Sequence, residues 1–235
     1  MIDRIVFWGL CAVLLFVPLP IGSVEEWAVF VFEAATLGLF LLYLGGQMFA
    51  RRRIGIAARL PGLFKIALGV FLAFSFLQLV PLPAGLVRLL SPRAYALYAG
   101  LVQDGIAAPS SWLTLSLSPS ATLSEIILIL CYGIFGFLLL RTARSRLRIE
   151  ILVAVVLASA LFQSFYGMAE VFSGHEAILG RPKRYNIGSV TGTYVNRNHF
   201  AGFLEMAFPL SLGYLLVKAR YFAMYKVLSL RQKVL

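Results

Sequence analysis

Six apolar stretches, residues 5–24, 27–50, 66–87, 121–140, 151–173 and 200–217, constrain the fold more tightly than any other feature of this chain. Each is close to or above the roughly 20 residues that a helix needs to cross a bilayer. Unpaired backbone amides are expensive in hydrocarbon, and a helix pairs its own. Hydrophobic residues make up 60% of the chain and charged residues 13%, with a mean hydropathy of +0.88. A soluble domain sits nearer half and a quarter, so that class is excluded. The expected fold is all-α: a polytopic transmembrane helix bundle of about six spanning helices, with short interfacial helices in the second outer loop. Pro81 and Pro83 should stop the third helix near Val80.

Orientation follows from the Lys and Arg content of alternate loops, since these residues stay on the cytoplasmic side. One side holds Arg4, then Arg51, Arg52, Arg53 and Arg59, then Arg141, Arg144, Arg146 and Arg148, then Lys218, Arg220, Lys226, Arg231 and Lys233. That side is read as cytoplasmic, with both termini inside. The net charge of +11 is thereby spread along loop edges beside anionic lipid. No aromatic-interleaved basic face marks a nucleic-acid binder, so no nucleic-acid partner is expected. Cys11 and Cys131 both fall within apolar stretches and read as small packing residues.

The second outer loop, 81–120, is expected to form one or two short helices over 82–101, with a helix start at Ser91-Pro92. Thr114 to Ser118 alternate polar and apolar as an extended segment would. The next helix then begins either at Ser118-Pro119 or at a capping box formed by Thr122 and Glu125.

Polar residues mark one face of the fifth helix. Ser159, Gln163, Tyr166, Glu170 and Ser173 recur at helical spacing, and such a stripe must look inward rather than at lipid. The sixth helix repeats the pattern with Asn198, Gly202, Glu205, Pro209 and Gly213, whose small residues permit close approach. Carboxylates within spans need partners or a watery cavity. Glu170 and Glu205 both lie on the outer half, and Glu33 is a further member of any network there.

One loop breaks the charge rule. Between the fifth and sixth helices, on the outer side, stand Arg181, Lys183, Arg184 and Arg197. Part of this charge is expected to pair with Glu170 and Glu205, and the remainder is suited to an anion such as a phosphate group. Asn196 or Asn198 can cap the sixth helix, beside His199, and a helix N-terminus adds free N–H groups. His175 and His199, with no cysteine pair, make no metal-ligand set, so no metal is expected. No Walker-type loop or nucleophile elbow is present.

The run T-G-T-Y-V-N-R-N-H-F-A-G-F-L-E-M-A-F-P-L at 191–210 resembles the start of the core of the bacterial O-antigen ligase and O-antigen polymerase family. The resemblance extends to P-L-P-I-G-S-V-E-E-W-A-V-F-V-F-E at 18–33 and, less specifically, to L-Q-L-V-P-L-P at 77–83. It implies an inner-membrane glycosyltransferase that takes a glycan from undecaprenyl pyrophosphate on the periplasmic side and passes it to an acceptor, with no cofactor. Carried onto this chain, it makes Arg184 or Arg181 the pyrophosphate-binding arginine, with Lys183 and Arg197 assisting. Asn196, Asn198 and His199 would shape the entrance of the sixth helix, and Glu170 or Glu205 would orient the cations.

The resemblance also divides the chain into N-terminal transmembrane helices over 1–180 and the start of the ligase-like core over 181–235. Family members continue through a second helical half with further arginine and histidine residues. This chain is therefore expected to be an N-terminal half, with a second-half polypeptide as a candidate partner. Two other classes keep a place as expectations: a non-catalytic scaffold of an envelope polysaccharide system, and a transporter for an anionic solute.

Overall fold

The computed structural model of the protein describes residues 1–49 and 62–234, and their side chains apart from those of 64, 65 and 222–234. The topology signals at Arg51, Arg52, Arg53 and Arg59 lie outside the described residues, as do the side chains of Lys226, Arg231 and Lys233. The described residues form eight α-helices and two minimal antiparallel ladders, an all-α membrane-type fold.

Four helices are long and apolar enough to cross a membrane: α2 (Glu26–Phe49), α6 (Pro119–Thr142), α7 (Arg146–Phe172) and the stretch Arg197–Tyr221 of α8 (Arg197–Val234). The other two apolar stretches give shorter helices. α1 (Ile2–Phe16) has 15 residues, because Pro18 and Pro20 forbid a continuing ladder. α3 (Gly62–Leu77) has 16 and stops before the expected Val80, the chain loosening into single turns ahead of Pro81. At the other extreme, α8 runs through the expected sixth span and its basic tail as one helix of 38 residues with Pro209 inside it.

The chain divides into two compact units, Met1–Arg52 with Phe135–Leu235, and Arg53–Ile134. The residues on either side of position 180 pack in the same unit.

In the first unit α1 packs between α2 and α7, and α8 packs on α7. Val6, Phe7, Leu10 and Cys11 of α1 are buried, as are Ala28, Phe32, Thr36 and Tyr43 along one face of α2. Outward faces carry Phe30, Leu41 and Phe165, each about two-thirds exposed, as lipid-facing helices require. One end of this unit is tied by cations: Arg141 Nε donates to Tyr43 Oη at 2.9 Å, Arg148 lies over the Phe7 ring, and Glu150 pairs with Arg146 and Lys218 at 2.9 Å each. The other end gathers residues 17–25 and the segment between α7 and α8.

In the second unit the loop after α3 forms two short helices as expected, α4 (Ala84–Leu90) and α5 (Pro92–Gln103), with Pro92 at the first helical position. The extended piece is shifted. β1 (Leu82–Pro83) pairs with β2 (Trp112–Leu113), and residues 114–118 are irregular, with bends at 115–117. The reason is polar satisfaction: Tyr98 Oη meets the Thr114 hydroxyl at 3.1 Å and donates to the Ser116 carbonyl at 2.7 Å. α6 starts at Pro119 and not at a capping box. Thr122 already lies inside the helix, where its hydroxyl meets that of Ser116 at 2.7 Å, and Glu125 is exposed.

Candidate functional site

The polar stripe of α7 faces inward at its centre and builds the floor of the site. Gln163 is fully buried and Ser159 nearly so. The Gln163 amide is used on both atoms: Nε2 donates to the Pro18 carbonyl at 3.0 Å and to the Thr193 hydroxyl at 2.8 Å, while Oε1 accepts from the Thr193 amide at 2.7 Å. The Thr193 hydroxyl donates onward to the same Pro18 carbonyl at 2.6 Å. One side chain thus joins the P-L-P and T-G-T segments, which are 175 residues apart.

Backbone proximity makes this possible. Gly192 sits at φ +55 with Gln163 directly against it, and a Cβ on Gly167 would stand 2.5 Å from the Gly192 nitrogen. Only glycine fits at both positions. Tyr194 follows, packed on Phe200 and Phe203, and burial pushes its phenol up to about 12. At neutral pH it is a protonated packing group rather than a base.

Above this floor, α7 ends at Phe172 and the chain forms a hairpin of β3 (Ala177–Ile178) and β4 (Arg181–Pro182). The expected carboxylate partner Glu170 holds the hairpin backbone instead of a cation, its Oε2 accepting from the Ala177 amide at 3.3 Å. Tyr166 Oη accepts from the Leu179 amide at 2.7 Å in the same way. The hairpin carries three of the four expected cations to the wall of a cavity of about 580 Å³, lined by Ile21, Ile178, Arg181, Pro182, Lys183, Arg184, Tyr185 and Val195.

The three cations differ in what they are free to do. Lys183 has a side chain only 1% exposed, donates to the Ser189 carbonyl at 3.0 Å and pairs with Glu176 at 3.4 Å. Glu176 in turn accepts from the Gly188 amide at 2.8 Å, so Lys183 is committed to the loop. Arg181 is 70% exposed and pairs with Glu25 at 2.8 Å. Arg184 is exposed and forms no ion pair among the described residues.

Glu25 and Glu176 are therefore the orienting carboxylates, in place of the expected Glu170 and Glu205. Glu205 is exposed on α8, where nothing among the described residues pairs with it, and Glu33 likewise makes no ion pair there. Sequence order hid the first of these partners, whereas Glu176 stands close to Lys183 in the same loop. Glu25 directly precedes α2, in the short connection between the first two apolar stretches, and its arginine is 156 residues away.

The start of α8 lies beside the cavity lining at Val195 without joining it. Asn196 is the cap, its Oδ1 accepting from the Asn198 amide at 2.8 Å. Arg197, Asn198 and His199 are exposed and are not among the lining residues, and Arg197 forms no ion pair among the described residues. His175 is exposed in the turn before β3. No group of three or more potential metal ligands occurs among the described residues.

The arrangement is a half-open basic cavity with one uncommitted arginine, one arginine in an exposed pair, and apolar walls from Ile21, Ile178 and Val195. Arginine forks bind phosphate oxygens in pairs, so the chemistry on offer is anion binding beside an apolar surface. Compared with known protein families, with curated proteins and with solved structures, the chain matches none of them.

Proposed function

We propose that the chain is an inner-membrane protein of the O-antigen ligase and polymerase type, which holds the pyrophosphate of an undecaprenyl-linked glycan on the periplasmic side while the glycan passes to an acceptor. The observation that carries this reading is the basic cavity of about 580 Å³ with Arg184 on its wall in no ion pair among the described residues. An acceptor hydroxyl attacks the anomeric carbon, the bond to the diphosphate oxygen breaks, the hydroxyl proton passes to water, and negative charge grows on the departing oxygen. Fixed cations at that position lower the barrier. Arg184 and Arg181 supply them, Lys183 keeps the loop in shape, and Ile21, Ile178 and Val195 offer apolar surface to the start of the isoprenoid. In this reading both termini are cytoplasmic.

The test is retention of undecaprenyl pyrophosphate by the protein in nanodiscs. Each charge-assisted hydrogen bond is worth roughly 1.5–3 kcal/mol, so Arg181→Ala with Arg184→Ala should weaken retention at least about tenfold. Equal retention by the double variant and the parent would refute the reading.

A further inference from the structure

We propose that Glu25 is an internal competitor for the anion, a carboxylate that takes Arg181 back and so releases a bound diphosphate. This rests on the reading of the cavity as an anion site. Glu25 belongs to the segment that supplies Ile21 to the cavity wall, and that segment is anchored firmly: the Pro18 carbonyl is held by Gln163 and Thr193, and the Ser23 hydroxyl donates to the Val17 carbonyl at 2.6 Å. Ile21 and Ser23, at φ 56 and 54, keep left-handed backbone that a β-branched residue and a serine rarely adopt. Such strain persists only where neighbouring structure imposes it, so the carboxylate is presented to Arg181 by design of the turn.

The pair has the properties of an exchangeable contact. Its side chains are 70% and 36% exposed, whereas Lys183 of the neighbouring pair is sealed at 1%. Exposed pairs are weak and readily given up to a better anion. Glu25 also has a second partner: the Trp27 indole donates to its other oxygen at 2.6 Å. When Arg181 turns to a phosphate, the carboxylate keeps that bond and stays within reach for the return. Arg184 has no such carboxylate among the described residues and holds its share of the anion throughout. A diphosphate therefore meets one permanent and one contested arginine, and loss of the contested contact starts its departure.

The experiment measures inorganic pyrophosphate binding to the full chain in nanodiscs for the parent, Glu25→Gln, Glu26→Gln, Arg181→Ala, Arg184→Ala and the Glu25→Gln/Arg181→Ala pair. Removing an exposed competitor should tighten binding about two- to fivefold, through slower dissociation. Glu26 makes no ion pair among the described residues, so Glu26→Gln should leave affinity unchanged. In the Arg181→Ala background Glu25→Gln should have no effect. The proposal is overturned if Glu25→Gln fails to tighten binding, if Glu26→Gln tightens it equally, or if the gain survives without Arg181. If Arg184→Ala binds as well as the parent, the anion site itself is refuted and the exchange with it.

Discussion

Gln163 and Thr193 hold each other through three hydrogen bonds, amide N–H to hydroxyl at 2.8 Å, backbone N–H to amide oxygen at 2.7 Å and hydroxyl to amide oxygen at 3.1 Å, in a place where both residues are fully buried. Reversing the Gln163 amide would set two oxygens face to face at Pro18, so its orientation is determined by its partners. Gln163→Leu leaves the Thr193 amide without an acceptor. The expected loss is roughly 1–3 kcal/mol, read as a lower thermal midpoint in detergent. Thr193→Val should cost a similar amount, and the double variant less than the sum, because the two share one network.

Gly167→Ala drives a methyl to within 2.5 Å of the Gly192 nitrogen, where backbone cannot give way cheaply. It should destabilise by about 1–3 kcal/mol, in the manner of an overpacked core. Gly133→Ala is the control. It lies within α6 with nothing within 4 Å of the new Cβ, so helix preference alone acts and stability should rise by about 0.5–1 kcal/mol. Thermal midpoints of the two variants should move in opposite directions.

Much of this architecture was legible locally. Length and apolarity located every long helix, Pro81 announced the end of α3, and the spacing of Ser159 and Gln163 marked the inward face of α7. Three kinds of feature were not. Helix lengths at the extremes depend on proline position and on continuation through charged residues: α1 ends at Phe16, while α8 passes Lys218 and Arg220 without a break. The start of α6 was legible as one of two readings: the helix follows Ser118-Pro119, and Thr122 with Glu125 lies one turn inside it. Ion pairing was the least legible, since Glu25 meets Arg181 only after α1, α2 and α7 are assembled. The polar spacing on α8 predicted a packed face. Among the described residues Asn198, Glu205, Pro209 and Gly213 are exposed on it.

Glu25 should titrate below the ordinary carboxylate value of 4.5, chiefly because the Trp27 indole N–H bonds its charged form and then because Arg181 stands beside it. A depressed carboxyl stabilises the fold at pH above its ordinary value, and that contribution is lost as pH falls through the lowered one. Difference infrared spectra between the parent and Glu25→Gln should therefore show a carboxylate band persisting below pH 4.5. Trp27→Phe and Arg181→Ala should each move its midpoint upward.

Arg184 and Arg197 are both exposed and without ion-pair partners among the described residues, but only Arg184 lines the cavity. Arg184→Ala should cut pyrophosphate binding about tenfold, in line with one lost charge-assisted contact. Arg197→Ala should change it less than about twofold, as expected for a screened charge outside the site. Equilibrium dialysis at two salt concentrations would separate the contact from the general field.

The most direct measurement of the central claim uses a thiol on the cavity wall. Tyr185 is 70% exposed there, and the two native cysteines, Cys11 and Cys131, are buried, so Tyr185→Cys introduces a reactive site of known position. An impermeant maleimide should label it in intact spheroplasts, and undecaprenyl pyrophosphate should slow the labelling. Labelling that requires permeabilised cells, or that proceeds at the same rate with the lipid present, would contradict a periplasmic diphosphate site.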